Sequence, residues 1–153
     1  MQFESHVTVK APIATVWAFF QDIPGLVGLV PGCKDAEALS DRQYKVHVSQ
    51  RVGPFKVGLP AEVTIEELVE PERMTVVIAG TDRRVGFSLK QTLSVRFLQE
   101  GDQETAIAMV TDVSIFGKLA SLGSAAMNRK AAEIMKEFEM GLRKALEPSD
   151  GAA

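Results

Sequence analysis

A chain of 153 residues is sized for one domain and can bury roughly two thirds of the surface its unfolded form exposes. A hydrophobic fraction of 46% beside 24% charged residues excludes a disordered chain. The formal net charge of −3 lacks the electrostatic footprint of a nucleic-acid binder. A single cysteine excludes an internal disulfide and fits no multi-cysteine metal spacing, so no metal site and no required cofactor are expected. No signal-peptide pattern opens the sequence, and no run approaches the ~18 apolar residues of a membrane span. A cytoplasmic location is therefore the expectation.

Residues 3–10 alternate, with Phe3, Ser5, Val7 and Val9 on one face and Glu4, His6, Thr8 and Lys10 on the other, as in a half-buried strand. "APIATVWAFFQD" follows, with Pro12 suited to the start of a helix and Ile13, Val16, Trp17 and Phe20 at helical spacing. "IPGLVGLVPG" is apolar but interrupted by Pro and Gly, which predicts a turn with one short helix and suggests a lid. From Cys33 to Phe116 the period becomes two. Strands are predicted near 33–39, 43–52, 55–69, 73–80, 85–99 and 104–116, joined by "SDR", "VGP", "EPE", "GTDRR" and "EGDQ". Connections this short imply an antiparallel meander.

One long helical pattern closes the chain, near 119–147, with an apolar stripe of Met127, Ala131, Ile134, Phe138, Leu142 and Ala145. Glu139 and Arg143 have the favourable i,i+4 orientation. Gly141 falls on the stripe, either for close approach to the sheet or to keep space open. The tail 148–153 is polar. Residues 1–147 thus read as a single α+β domain whose sheet must wrap the final helix, because nothing else is long enough to cover that stripe.

This order resembles the helix-grip fold of START-type lipid-transfer domains and the birch pollen allergen. Within that superfamily the sequence is similar to the G-subunit family of carbon monoxide dehydrogenase. The residues that carry the likeness are "APIATVW" (11–17), "DIPGL" with "PGC" (22–33), "VGPFKVGLPAEVTIEE" (52–67) and "GKLASLG" (117–123). The resemblance implies a curved seven-stranded antiparallel sheet gripping the C-terminal helix, with two short helices between the first two strands. It also implies an internal cavity for a hydrophobic small molecule, a lipid or an isoprenoid quinone. The implied role is that of an accessory or recruitment factor for a molybdenum-containing hydroxylase, with peripheral membrane contact through that partner. Longer family members carry a C-terminal extension for membrane attachment, which the sequence to Ala153 does not contain.

The cavity residues expected from the strand rows, the helix stripe and the lid are Leu59, Phe87, Leu89, Gln91 and Met109, then Met127, Ile134 and Phe138, with Leu26, Leu29, Val30 and Phe55 at the mouth. Pro54, Gly58 and Pro60 should keep the mouth turn Phe55–Leu59 from pairing regularly. Gln50, Gln91 and Thr111 are the polar candidates, able to hydrogen-bond a carbonyl or hydroxyl but not to titrate near neutral pH. No catalytic residue is expected. The alternative, a polyketide cyclase or hydratase-like enzyme on an apolar substrate, would need Asp112 or Tyr44 to point inward. Taking Ser40-Asp41-Arg42 as the connection places Ala36 and Ala38 inward and Cys33 outward opposite Ser49, with His47 diagonal to it. There the thiol has no orienting partner and reads as structural. His6, on an outward position, reads as solvated.

Overall fold

Alternating segments joined by short turns pair with their neighbours in the chain, and here the pairing is continuous. The computed structural model describes residues 1–117 and 121–147. Its elements are β1 (Gln2–Val9), α1 (Ile13–Gln21), α2 (Ile23–Val27), β2 (Cys33–Ala38), β3 (Gln43–Val52), β4 (Phe55–Val69), β5 (Arg73–Asp82), β6 (Phe87–Gly101), β7 (Glu104–Gly117) and α3 (Ser124–Leu146). All seven strands form one antiparallel sheet in the order β1-β7-β6-β5-β4-β3-β2. The helix-grip expectation is met, with both short helices between the first two strands. The predicted tail 148–153 and the predicted helical residues 119 and 120 lie outside the described residues.

The meander has two ends. The β3–β4 and β5–β6 turns, the start of β1 and the start of α3 share one, called here the hairpin end; the β4–β5 and β6–β7 turns and the last turn of α3 share the other. α1 seals the second end. Its apolar spacing puts Val16, Trp17 and Phe20 inward, and Phe97 of β6 meets Phe20 and Trp17 edge-on, with ring centroids 4.9 and 5.6 Å apart. Ile107, Val95, Met74 and Leu142, each 0–1% exposed, fill the space around these rings. Buried Thr105 Oγ1 donates to the Ala11 carbonyl at 2.8 Å, tying the β1–α1 connection to β7.

α3 is about 35 Å long at its 23 residues. Its stripe departs from the expected one at the end, where Leu146 is buried and Ala145 exposed. Arg143 and Lys144 occupy its last turn, where cations are favoured. Glu139 is not paired with Arg143; it accepts a hydrogen bond from Ser5 Oγ of β1. Gly141 serves close approach: a Cβ there would stand 3.0 Å from Leu29 Cδ2, so the lid segment seats its leucine in a notch on the helix.

β4 and β5 part company toward the hairpin end. Their pairing stops at Ala61 with Gly80, so residues 55–60 pair with β3 alone. The segment Phe55–Leu59 is thus a regular strand on one side, contrary to the irregular turn expected, and unpaired on the other. At the parting a Cβ on Gly80 would come within 2.3 Å of Leu59 Cδ1 and 2.6 Å of the Pro60 carbonyl, so only glycine lets the strands approach there. Buried Asp82 then bridges the gap. Its carboxylate accepts from the Gly58 N–H at 3.0 Å, from the Arg84 N–H at 3.0 Å and from the Arg84 guanidinium at 3.2 Å.

The Gly58 N–H, then the Arg84 side chain, hold the Asp82 carboxyl below its ordinary range. A depressed folded-state pKa contributes stability that is present above the ordinary carboxylate value and lost as pH falls through the folded value. Asp82→Asn should therefore lower Tm at pH 7 by several degrees, with the gap to the wild type closing on acidification. Parallel melting curves across pH check it; a constant gap at all pH values would refute the linkage.

Charge is segregated along the same axis. Exposed Arg51, Lys56, Arg83 and Arg84 flank the hairpin-end turns, with Arg129 in the early turns of α3. Exposed Glu66, Glu67, Glu70, Glu72, Glu100, Asp102 and Glu104 crowd the turns at the opposite end, where Arg73 pairs with Glu67 and Glu72.

Candidate functional site: an apolar cavity between sheet and helix

Inward side chains of the strands face α3 across the sheet's concavity, and toward the hairpin end they leave space unfilled. The result is a cavity of about 290 Å³, at the lower edge of the ~300–1,000 Å³ usual for small-molecule sites. Phe87, Leu89, Gln91 and Leu93 of β6 line it beside Met109, Thr111, Val113 and Ile115 of β7. Met127, Ala131, Ile134 and Phe138 of α3 face them, and Val52, Val57 and Leu59 close the β3–β4 side. Phe3 of β1, Val27 of α2 and Val30 complete the wall.

Nine of the twelve expected positions line this cavity: Val30, Leu59, Phe87, Leu89, Gln91, Met109, Met127, Ile134 and Phe138. Leu26, Leu29 and Phe55 do not; they pack against the core around it. In the lid the lining residues are Val27 and Val30, three apart, because Leu29 is turned into the Gly141 notch. Phe97 belongs to the solid end under α1, although it continues the row of Phe87 and Gln91.

Cys33 is the clearest correction. It pairs with Val48, not Ser49, and lines the cavity. The register inferred from the turn holds for Ala38 with Tyr44, then slips by one at a bulge between Lys34 and Glu37, where Asp35 has φ 58°. That slip reverses the face of every residue before it. It also sets Lys34, not Cys33, beside His47. Gly32 carries φ 80°, and a Cβ there would collide with the Ser49 carbonyl at 1.9 Å, so glycine is required to bring the chain into β2.

Burial pushes the Cys33 thiol up to about 11, so the reactive thiolate is scarce at neutral pH. Alkylation by N-methylmaleimide should be far slower than for an exposed cysteine, rise about tenfold per pH unit, and slow further when an apolar compound occupies the cavity. Mass-spectrometric labelling kinetics check this. A fast, ligand-independent reaction at neutral pH would place the thiol outside.

The polar content of the wall is small. Gln50 donates its amide N–H to the Pro31 carbonyl, holding the lid segment to β3. Lys130 stands on α3 with its Nζ 3.7 Å from Glu133 Oε2. Thr111 is 3% exposed, and its Oγ1 is buried with no hydrogen-bond partner, an omission that costs about 1–3 kcal/mol. No Asp, Glu, His or Tyr lines the cavity among the described residues. Asp112 is exposed, opposite Gln2 and Thr92, and half-buried Tyr44 is not in the wall. His6 is exposed. No group of three or more His, Cys, Asp or Glu side chains among the described residues could hold a metal ion.

A curved antiparallel sheet gripping a C-terminal helix over a cavity defines the START-type helix-grip class, and solved structures of that shape agree. A conserved protein from Geobacillus kaustophilus matches with TM-score 0.85 at 17% identity, covering 95% of each chain. A START superfamily protein from Mycobacterium smegmatis matches with TM-score 0.72 at 13% identity, covering 95% of this chain and 96% of its own. The Zhui aromatase/cyclase from a Streptomyces species matches with TM-score 0.60 at 15% identity, covering 95% of each chain. No curated protein matches the sequence. The model of the CoxG family, the G-subunit family of carbon monoxide dehydrogenase, matches residues 6–147, and the chain belongs to that family. No helix among the described residues is long and apolar enough to cross a membrane.

Proposed function

We propose that this protein is a non-catalytic carrier that holds a hydrophobic small molecule, a lipid or an isoprenoid quinone, as an accessory factor to a molybdenum-containing hydroxylase such as carbon monoxide dehydrogenase. The observation that carries the reading is the composition of the cavity wall: aliphatic, aromatic and Met side chains, with no carboxylate, imidazole or phenol among the described lining residues. Such a wall favours transfer of apolar surface from water at about 25 cal/mol per Å². The Cys33 thiol in that wall is pushed up to about 11 by burial and so keeps its proton near neutral pH. Family membership supports the hydroxylase as partner, and contact with a membrane would then come through that partner.

The cyclase or hydratase alternative requires an acid or base in the wall, and neither Asp112 nor Tyr44 is there. The resemblance to the Streptomyces aromatase/cyclase is one of fold. Native mass spectrometry after mild purification tests the carrier reading, with extraction and identification of any bound lipid. A co-purifying apolar molecule, or saturable uptake of one added later, is the expected result. A protein that neither retains nor takes up such molecules would overturn it.

A further inference from the structure

Resting on the carrier reading, we infer that the cavity selects a neutral ligand bearing a carbonyl oxygen, and that this oxygen is received by Thr111 and Gln91 at the deep end of the hollow. Thr111 lines the cavity, and its Oγ1 is a buried hydroxyl without any hydrogen-bond partner. Gln91 lines the same cavity. In the β6–β7 register Gln91 pairs with Val113 and Thr111 with Leu93, so the two polar side chains are diagonal neighbours on one face, roughly 7 Å apart at the backbone. A threonine O–H and a glutamine N–H are both donors, and a carbonyl oxygen has two lone pairs to accept them. One ligand oxygen can thus accept a hydrogen bond from each.

The surroundings fix the sign and direction. The cationic side chain in the wall, Lys130, is on the facing helix and lies beside Glu133. The sheet contributes no cation to the described wall around Thr111, so a carboxylate seated there would be a buried charge without a counter-ion. From Thr111 toward the hairpin end the wall is Val113, Ile115, Leu89 and Phe87, a path of roughly 15–20 Å at strand rise with no further unpartnered polar group on the sheet. Toward the other end the way is stopped by the rings of α1. The ligand therefore lies with its carbonyl deep and its apolar chain running to the hairpin end.

Competition against the neutral dye N-phenyl-1-naphthylamine tests this with three probes of equal chain length: 2-undecanone, undecane and undecanoate. The ketone is expected to compete about tenfold better than either of the others. Thr111→Val and Gln91→Leu should each weaken the ketone about fivefold more than they change dye or alkane binding. Thr111→Val, which removes the orphan hydroxyl without changing shape, should also raise the Tm of the ligand-free protein. The infrared stretch of a ¹³C-labelled ketone should shift to lower frequency on binding to the wild type and not to the double variant. Equal competition by ketone and alkane, or ketone affinity untouched by both substitutions, would overturn the inference while leaving the carrier reading standing. Strongest binding by undecanoate, abolished in Lys130→Met, would replace it with an anionic head at the helix. Failure of the wild type to take up the dye or any probe would bring down both.

Discussion

Ala131→Phe is expected to abolish uptake of N-phenyl-1-naphthylamine, lowering its affinity at least about tenfold, without loss of folding. Ala131 lies on the face of α3 that lines the cavity, where the chain's own atoms leave about 290 Å³ unoccupied. In a packed core an added phenyl ring would force neighbours off their rotamers and cost about 1–3 kcal/mol. Here it enters space already empty and gains dispersion contacts with the lining side chains, Leu89, Met109 and Phe3 among them. Tm should accordingly stay level or rise. Ala132→Phe is the control, because Ala132 is exposed on the same helix and outside the cavity wall. Dye titration and melting curves on both variants decide the matter. Undiminished uptake by Ala131→Phe, or equal loss in both, would show that the dye binds elsewhere.

Phe20→Ala should have the largest effect on stability, about 3–5 kcal/mol out of the ~5–15 kcal/mol that holds a domain together. Phe20 is 1% exposed and edge-on to Phe97 at 4.9 Å, in the tightly filled end beneath α1. Truncation leaves a void that flanking rings cannot collapse into. Phe138 provides the contrast. It is half-buried and already borders empty volume, so Phe138→Ala enlarges an existing space and should cost less than half as much. Urea unfolding of the two variants measures the difference. Equal losses would mean that the interior is uniformly packed and that the hollow is not confined to the hairpin end.

Much of this architecture is legible in the sequence because period-two alternation is a local signal. β3 and β4 begin and end where the alternation does, and the inward rows of β6 and β7 keep the face their spacing implies. What escapes is non-local. The Asp35 bulge slips the register by one residue, and no composition signal in "CKDAEA" announces it; Cys33 consequently changes sides. Phe87 and Phe97 stand in one row with the same chemistry, yet one borders the cavity and the other is sealed, because Trp17 and Phe20, remote in the chain, cover it. The lid differs from expectation by a fraction of a helical turn. Val30 lines the cavity as expected, and with five residues in α2 the phase that chooses Val27 over Leu26 and Leu29 is set by where Leu29 docks against Gly141. The unpartnered state of Thr111, on which ligand choice turns, is a property of the assembled interior, although its place on an inward row is legible.

The separation of exposed charge between the two ends has a consequence for how the molecule moves. Arg51, Lys56, Arg83, Arg84 and Arg129 stand where α3 begins, while at the opposite end the carboxylates Glu66, Glu67, Glu70, Glu72, Glu100, Asp102 and Glu104 outnumber Arg73, Arg143 and Lys144. The peptide groups of α3 point the same way, positive toward its start. The contributions add to a permanent dipole along the axis of the hollow, in a chain whose net charge is −3. Within roughly 8 Å of an anionic surface at physiological salt, such a body feels a torque that turns its positive end toward that surface.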